Sequence, residues 1–161
     1  MTADITRPLA GLALIVCASS CGSIASPESR SNQFSSGNFS VNVVASSACT
    51  TLADSGRNRT FKIGLVQTGS SVASFMAGWS DSATVFAQTN LAGTATGSSL
   101  SLNGHIYETI TGCSDPFCYR AEGTITATQS GNIVNGTLNG VLTYDSTTCT
   151  ASNHTVTLTR Q

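Results

Sequence analysis

Apolar and polar side chains alternate along most of this chain. Phe39, Val41, Val43 and Ala45 are separated by Ser40, Asn42 and Val44. Phe61, Ile63 and Leu65 repeat the odd register between Arg59 and Gln67. The register then turns even, with Leu100, Leu102, Ile106 and Ile110, and again with Val134, Leu138, Leu142 and Tyr144. His154, Val156 and Leu158 close the sequence in the same way. A period of two sends successive side chains to opposite faces of a strand, so each run has one buried and one wet face. After residue 20 no window of similar length offers an amphipathic helix of comparable quality.

Short turn signals divide these runs. Thr68-Gly69-Ser70-Ser71, Thr96-Gly97-Ser98 and Gln129-Ser130-Gly131-Asn132 each place a glycine between two alternating segments, as a hairpin requires. The pattern predicts eight strands over 38–46, 58–68, 71–79, 84–96, 99–111, 119–129, 132–145 and 153–160. Sequential antiparallel strands with one buried face form an up-and-down meander, and eight can close into a β-barrel that leaves no edge. The expected class is therefore all-β, with a β-sandwich as the alternative. Glycines recur on the apolar register at Gly93, Gly104, Gly123, Gly136 and Gly140. They either leave room inside for a ligand or allow the strands to curve tightly.

The first twenty residues depart from this pattern. Leu9 to Ala18 is a nearly unbroken apolar run, too short to span a hydrocarbon core of about 30 Å as a helix. A weakly charged start, an apolar stretch and the small residues Ala18-Ser19-Ser20 make an export signal over 1–20. Ala18-Ser19-Ser20-Cys21 resembles the lipobox of bacterial lipoproteins. That resemblance implies cleavage before Cys21, acylation of this cysteine and attachment to a membrane; cleavage after Ser20 or Ala25 with free secretion is the alternative. Ser-rich residues follow Cys21, so 21–36 reads as a lipidated cysteine and flexible tether, and 37–161 as the folded domain.

Six cysteines occur, and four remain once Cys17 and Cys21 are set aside. An even number in an exported chain suggests two disulfides. Asp115-Pro116 is a turn signal between Cys113 and Cys118, which pairs those two and leaves Cys49 with Cys149. The spacing does not suggest a metal site.

Composition narrows the function. Charged residues are 9% of the chain against about 25% in an average soluble domain. Seven cations among 161 residues supply no basic stripe for a nucleic acid. Scarce aromatics argue against an integral membrane barrel, which carries aromatic girdles. No nucleophile elbow, zinc-binding helix, phosphate loop or dinucleotide fingerprint is present, so neither a catalytic residue nor a cofactor is expected. His105 falls on a polar face and His154 on an apolar one. Glu108 shares the inward register of Ile106 and Ile110, where a carboxylate needs a partner. Glu108, Trp79 and Tyr144 are the candidates to line a ligand cup. Arg120 and Glu122 share the outer face as a surface ion pair.

The meander of 37–161 is similar in layout to lipocalin-like (calycin) barrels. Gly37-Asn38-Phe39 corresponds to the Gly-x-Trp that opens those barrels, with Phe39 in place of Trp. The resemblance implies a barrel that binds a small hydrophobic ligand in its cup. The expectation is a non-catalytic exported lipoprotein at the cell envelope, with an enzyme that uses Glu108, His105 or His154 as the third reading. Its expected contacts are the membrane, through Cys21, and a small apolar ligand or another envelope component.

Overall fold

The computed structural model describes residues 34–76, 85–110, 113 and 117–161. Eight strands follow one another: β1 (Gly37–Val44), β2 (Asn58–Thr68), β3 (Ser71–Met76), β4 (Val85–Thr96), β5 (Ser99–Ile110), β6 (Tyr119–Ser130), β7 (Ile133–Tyr144) and β8 (Thr147–Arg160). One short helix, α1 (Asp54–Arg57), lies between β1 and β2. Each strand pairs antiparallel with the next, and β1 also pairs with β8, so the sheet closes on itself. The fold is an up-and-down barrel, as the alternation requires.

The inner face carries the apolar set. Phe39, Val41, Val43, Phe61, Ile63, Leu65, Leu100, Leu102, Ile106, Leu142 and Leu158 are all 1% exposed or less. The outer face carries Ser, Thr and Asn, whose short hydroxyl and amide groups hydrate a strand without charge. A barrel that faced lipid all round would reverse this polarity.

Two ends can be distinguished. At the lower end, glycine opens the two-residue turns at Gly69, Gly97 and Gly131, with φ of 61, 59 and 61°. Positive φ suits the right-handed twist of a tight hairpin and costs glycine nothing. At the upper end, β7 and β8 are joined by Asp145 and Ser146, at φ 44 and 70°. Without a glycine this turn gave no sequence signal, and the last strand accordingly begins at Thr147 rather than at residue 153. A bulge keeps the long strand in register: Leu138 faces His154 while Gly140 faces Ala151. The extra residue switches the alternation, so that both Ala151 and His154 turn inward.

The lower end is sealed by residues assigned from sequence to the tether. Phe34 is 2% exposed and stacks on Phe39 with centroids 5.9 Å apart. Its N–H donates to the Gly97 carbonyl at 3.0 Å. The Arg160 guanidinium donates to Ser35 Oγ and to the Ser36 carbonyl. The packed domain thus includes Phe34–Ser36.

The inward glycines serve curvature. Gly104, Gly123 and Gly140 oppose one another across β5, β6 and β7. A Cβ on Gly104 or Gly123 would run into the carbonyl of Asn90 or Asn139, and both residues have left-handed φ, 139 and 145°. The space left by the missing side chains is occupied by neighbouring backbone.

Candidate functional site at the upper end of the barrel

β4, β5, β6 and β7 place Ala87, Glu108, Tyr119 and Tyr144 in one cross-strand row near the upper end. Two of the candidate cup residues, Glu108 and Tyr144, therefore lie in the same row, with Tyr119 between them. Arg59, the second residue of β2, completes the group from across the barrel.

The Glu108 side chain is 3% exposed and that of Arg59 20%. Arg59 Nε–H donates to Glu108 Oε2 at 2.8 Å, and Nη2–H donates to the same oxygen. Two charge-assisted donors on one carboxylate oxygen provide the compensation that a buried charge needs. Tyr119 is fully buried. Its ring tilts against Phe61 at 5.3 Å, and the Arg59 guanidinium carbon lies 6.0 Å from its centroid. The Tyr119 hydroxyl is buried without a hydrogen-bond partner, as is Thr89 Oγ1 on β4. Burial holds the Tyr119 phenol protonated far above its ordinary range; the charge of Arg59 opposes this shift and that of Glu108 adds to it.

The segment between β1 and β2 covers part of this end. Cys49 is bonded to Cys149 with Cα atoms 5.5 Å apart, closing a sequence separation of 100. Leu52 and Gly56 are buried, and Gly56 lies so close to Tyr144 that a Cβ would collide with its ring. His154, 0% exposed, fastens the same segment. Its Nδ1 accepts the Ser46 N–H at 3.1 Å, and Nε2 lies 3.3 Å from the Gly140 carbonyl. An accepting Nδ1 is unprotonated, so Nε2 carries the hydrogen and donates to Gly140. Burial lowers the His154 pKa, partly offset by the Gly140 hydrogen bond.

Cys113 and Cys118 form the second disulfide. The Asp145 N–H donates to the Cys118 carbonyl at 2.9 Å and so ties the β7–β8 turn to that bridge. Both pairings match the sequence expectation.

The remaining candidates lie elsewhere. His105 is on the outer face of β5, stacked on Tyr107 with centroids 4.1 Å apart; Tyr107 in turn meets Phe117 at 4.8 Å. Arg120 and Glu122 form the expected outer-face pair at 3.8 Å, with side chains 35% and 54% exposed. Trp79 and Cys21 fall outside the described residues. Among the described residues, no cavity is found and no three His, Cys, Asp or Glu side chains converge on a metal position.

Arg59, Tyr119, Thr89 and Phe34 were not singled out from sequence. For the first two a signal existed. Arg59 stands on the odd register of Phe61 and Ile63, and Tyr119 on that of Ala121 and Ile125, so alternation alone turns both inward. Comparison of the chain with family models, curated proteins and solved structures returns no match.

Proposed function

We propose that this chain is an exported bacterial lipoprotein, anchored by acyl chains on Cys21. Its barrel acts at the cell envelope through contact with another envelope component, without catalysis. The observation that carries contact over a ligand cup is the interior. Phe61, Leu102, Ile106 and Leu142 fill it below the upper row, and curvature consumes the space beside the glycines. Two disulfides support export, since such bonds persist in oxidising compartments. The absence of catalysis is supported by the engagement of the groups that could do chemistry. Glu108 is held by Arg59, His154 uses both ring nitrogens on backbone groups, and His105 is on the opposite face of β5 from Glu108.

Mass spectrometry of the mature N-terminus tests the anchor. A start at Cys21 with added acyl mass is expected; an unmodified Cys21, or a start beyond it, overturns the lipoprotein reading. A second reading, a small apolar ligand with a polar tip held at the upper end, is favoured by the unpartnered hydroxyls of Tyr119 and Thr89. Native mass spectrometry of the purified protein separates the two. A bound organic species whose retention falls in Tyr119→Phe would establish the second; an unliganded chain supports the first.

A further inference from the structure

The charges and exposed apolar side chains of the barrel are distributed unevenly between its ends. Among the described residues, Asp54, Glu108, Glu122 and Asp145 all lie in the upper half, together with Arg57, Arg59, Lys62 and Arg120. Among the described residues the lower half carries one charged side chain, Arg160, and no acidic one. Among the described residues three large apolar side chains are exposed, and two of them stand at the lower end. Val66 is 46% exposed, Phe75 45% and Ile133 43%. Val66 lies two residues from the lower end of β2, Phe75 is the fifth of six residues of β3 and crosses Gly64 near the middle of β2, and Ile133 is the first residue of β7. Ala73, paired with Val66, extends the apolar surface between the first two.

The N-terminal segment joins the barrel at this same end. The Phe34 N–H donates to the Gly97 carbonyl in the β4–β5 turn. Cys21 stands thirteen residues before Phe34. Even fully extended, that length spans only about 45 Å. An anchor at Cys21 therefore keeps this apolar end close to the bilayer.

We propose that the barrel rests its lower end, with the outer face of β2 and β3, on the anionic bilayer that holds its own anchor. This leaves the Arg59–Glu108–Tyr119 end facing away. The inference rests on the lipoprotein reading. Val66, Phe75 and Ile133 enter the interfacial region, where apolar side chains are stabilised, and Arg160 meets lipid phosphate. The lipid anchor supplies the attachment, and this surface sets the orientation.

Depth-dependent quenching tests it. Full-length lipidated protein in a Trp79→Phe background receives a single tryptophan by Phe75→Trp, Ile133→Trp or, at the upper end, Thr148→Trp. The probe is a vesicle of phosphatidylethanolamine and phosphatidylglycerol with brominated acyl chains. Quenching at 75 and 133 at least threefold greater than at 148 is expected, with the difference reduced when Arg160→Glu is added. Equal quenching at all three positions in protein that carries acyl mass on Cys21 overturns the orientation alone. Protein without acyl mass overturns the anchor and the orientation together. A dimer in sedimentation that Phe75→Ser converts to a monomer assigns the apolar face to a second copy and overturns the proposal.

Discussion

The two ends of this barrel are closed by different means. The lower end has two-residue turns, one stacked pair of phenylalanines and, among the described residues, a single charged side chain. The upper end has the longer connections, both disulfides, the inward ion pair and a buried histidine. Tight turns stabilise a barrel end with local geometry alone, because each glycine already occupies the φ its turn requires. A long segment such as 45–57 has no such local solution. It is held by bonds between positions far apart in sequence: Cys49 to Cys149, Ser46 to His154, Gly56 against Tyr144. Perturbing the upper end should therefore expose the chain's long-range connections. The lower end should yield to loss of packing only.

The largest expected effect is at the bridge between Cys49 and Cys149. In the chain-entropy model a loop of 100 residues contributes about 4.7 kcal/mol, and the loop between Cys113 and Cys118 about 2 kcal/mol. Replacing each pair with alanine and measuring denaturation midpoints should reproduce that ranking. Equal losses would mean that both ends of the long loop are already held by packing in the unbridged protein.

The buried ion pair comes next, and its two members should behave unequally. Arg59→Leu leaves the Glu108 carboxylate buried and uncompensated, a loss of about 3–5 kcal/mol. Glu108→Leu should cost less, because Arg59 is partly exposed and can turn toward water. The double variant Arg59→Leu/Glu108→Leu should recover most of the stability lost in Arg59→Leu, since an apolar pair of similar volume removes the burial cost of both charges. A double variant no more stable than Arg59→Leu would assign the pair a further structural role.

At the lower end, Phe34→Ala should lower stability by about 3 kcal/mol, as loss of a buried aromatic does. Removing residues 22–33 leaves the contacts of Phe34–Ser36 in place and should leave the midpoint unchanged. A protein destabilised by that truncation would place the start of the folded domain earlier in the chain.

How far the sequence alone reads this molecule also differs between the ends. Seven of the eight strands begin within a residue or two of where alternation and glycine punctuation put them, and the lower turns all carry glycine. The β7–β8 turn was missed because Asp145 and Ser146 adopt positive φ without it, and the β8 bulge then hid the first half of the strand. Glu108 was legible as an inward carboxylate because it shares a register with Ile106. Its partner was harder to find: Arg59 is 49 residues away, and alternation gives a side chain's face, not the height it meets across a barrel. Phe34 sits in a Ser-rich stretch with no periodicity, so only the folded barrel shows where it packs.

The smallest effect is one of pH, and it isolates the upper end. His154 is buried neutral, with Nδ1 accepting the Ser46 N–H. Burial lowers its pKa below the ordinary value of about 6.5. At pH below about 6.5 the unfolded chain takes up a proton that the folded chain refuses, so stability is fully present above that pH and declines as pH falls. The decline ends once the pH passes below the folded-state pKa. The proton on Nδ1 would also displace the Ser46 N–H and loosen the 45–57 segment before the lower turns feel any change. Thermal midpoints between pH 7.5 and 5 should therefore fall in the native protein. They should stay flatter in His154→Gln, which keeps a donor and an acceptor but does not titrate there. Amide exchange should localise the acid-sensitive opening to Ser46 and its neighbours. Equal acid sensitivity in His154→Gln would move the cause away from this residue, and equal exchange at the Gly69 and Gly97 turns would erase the distinction between the two ends.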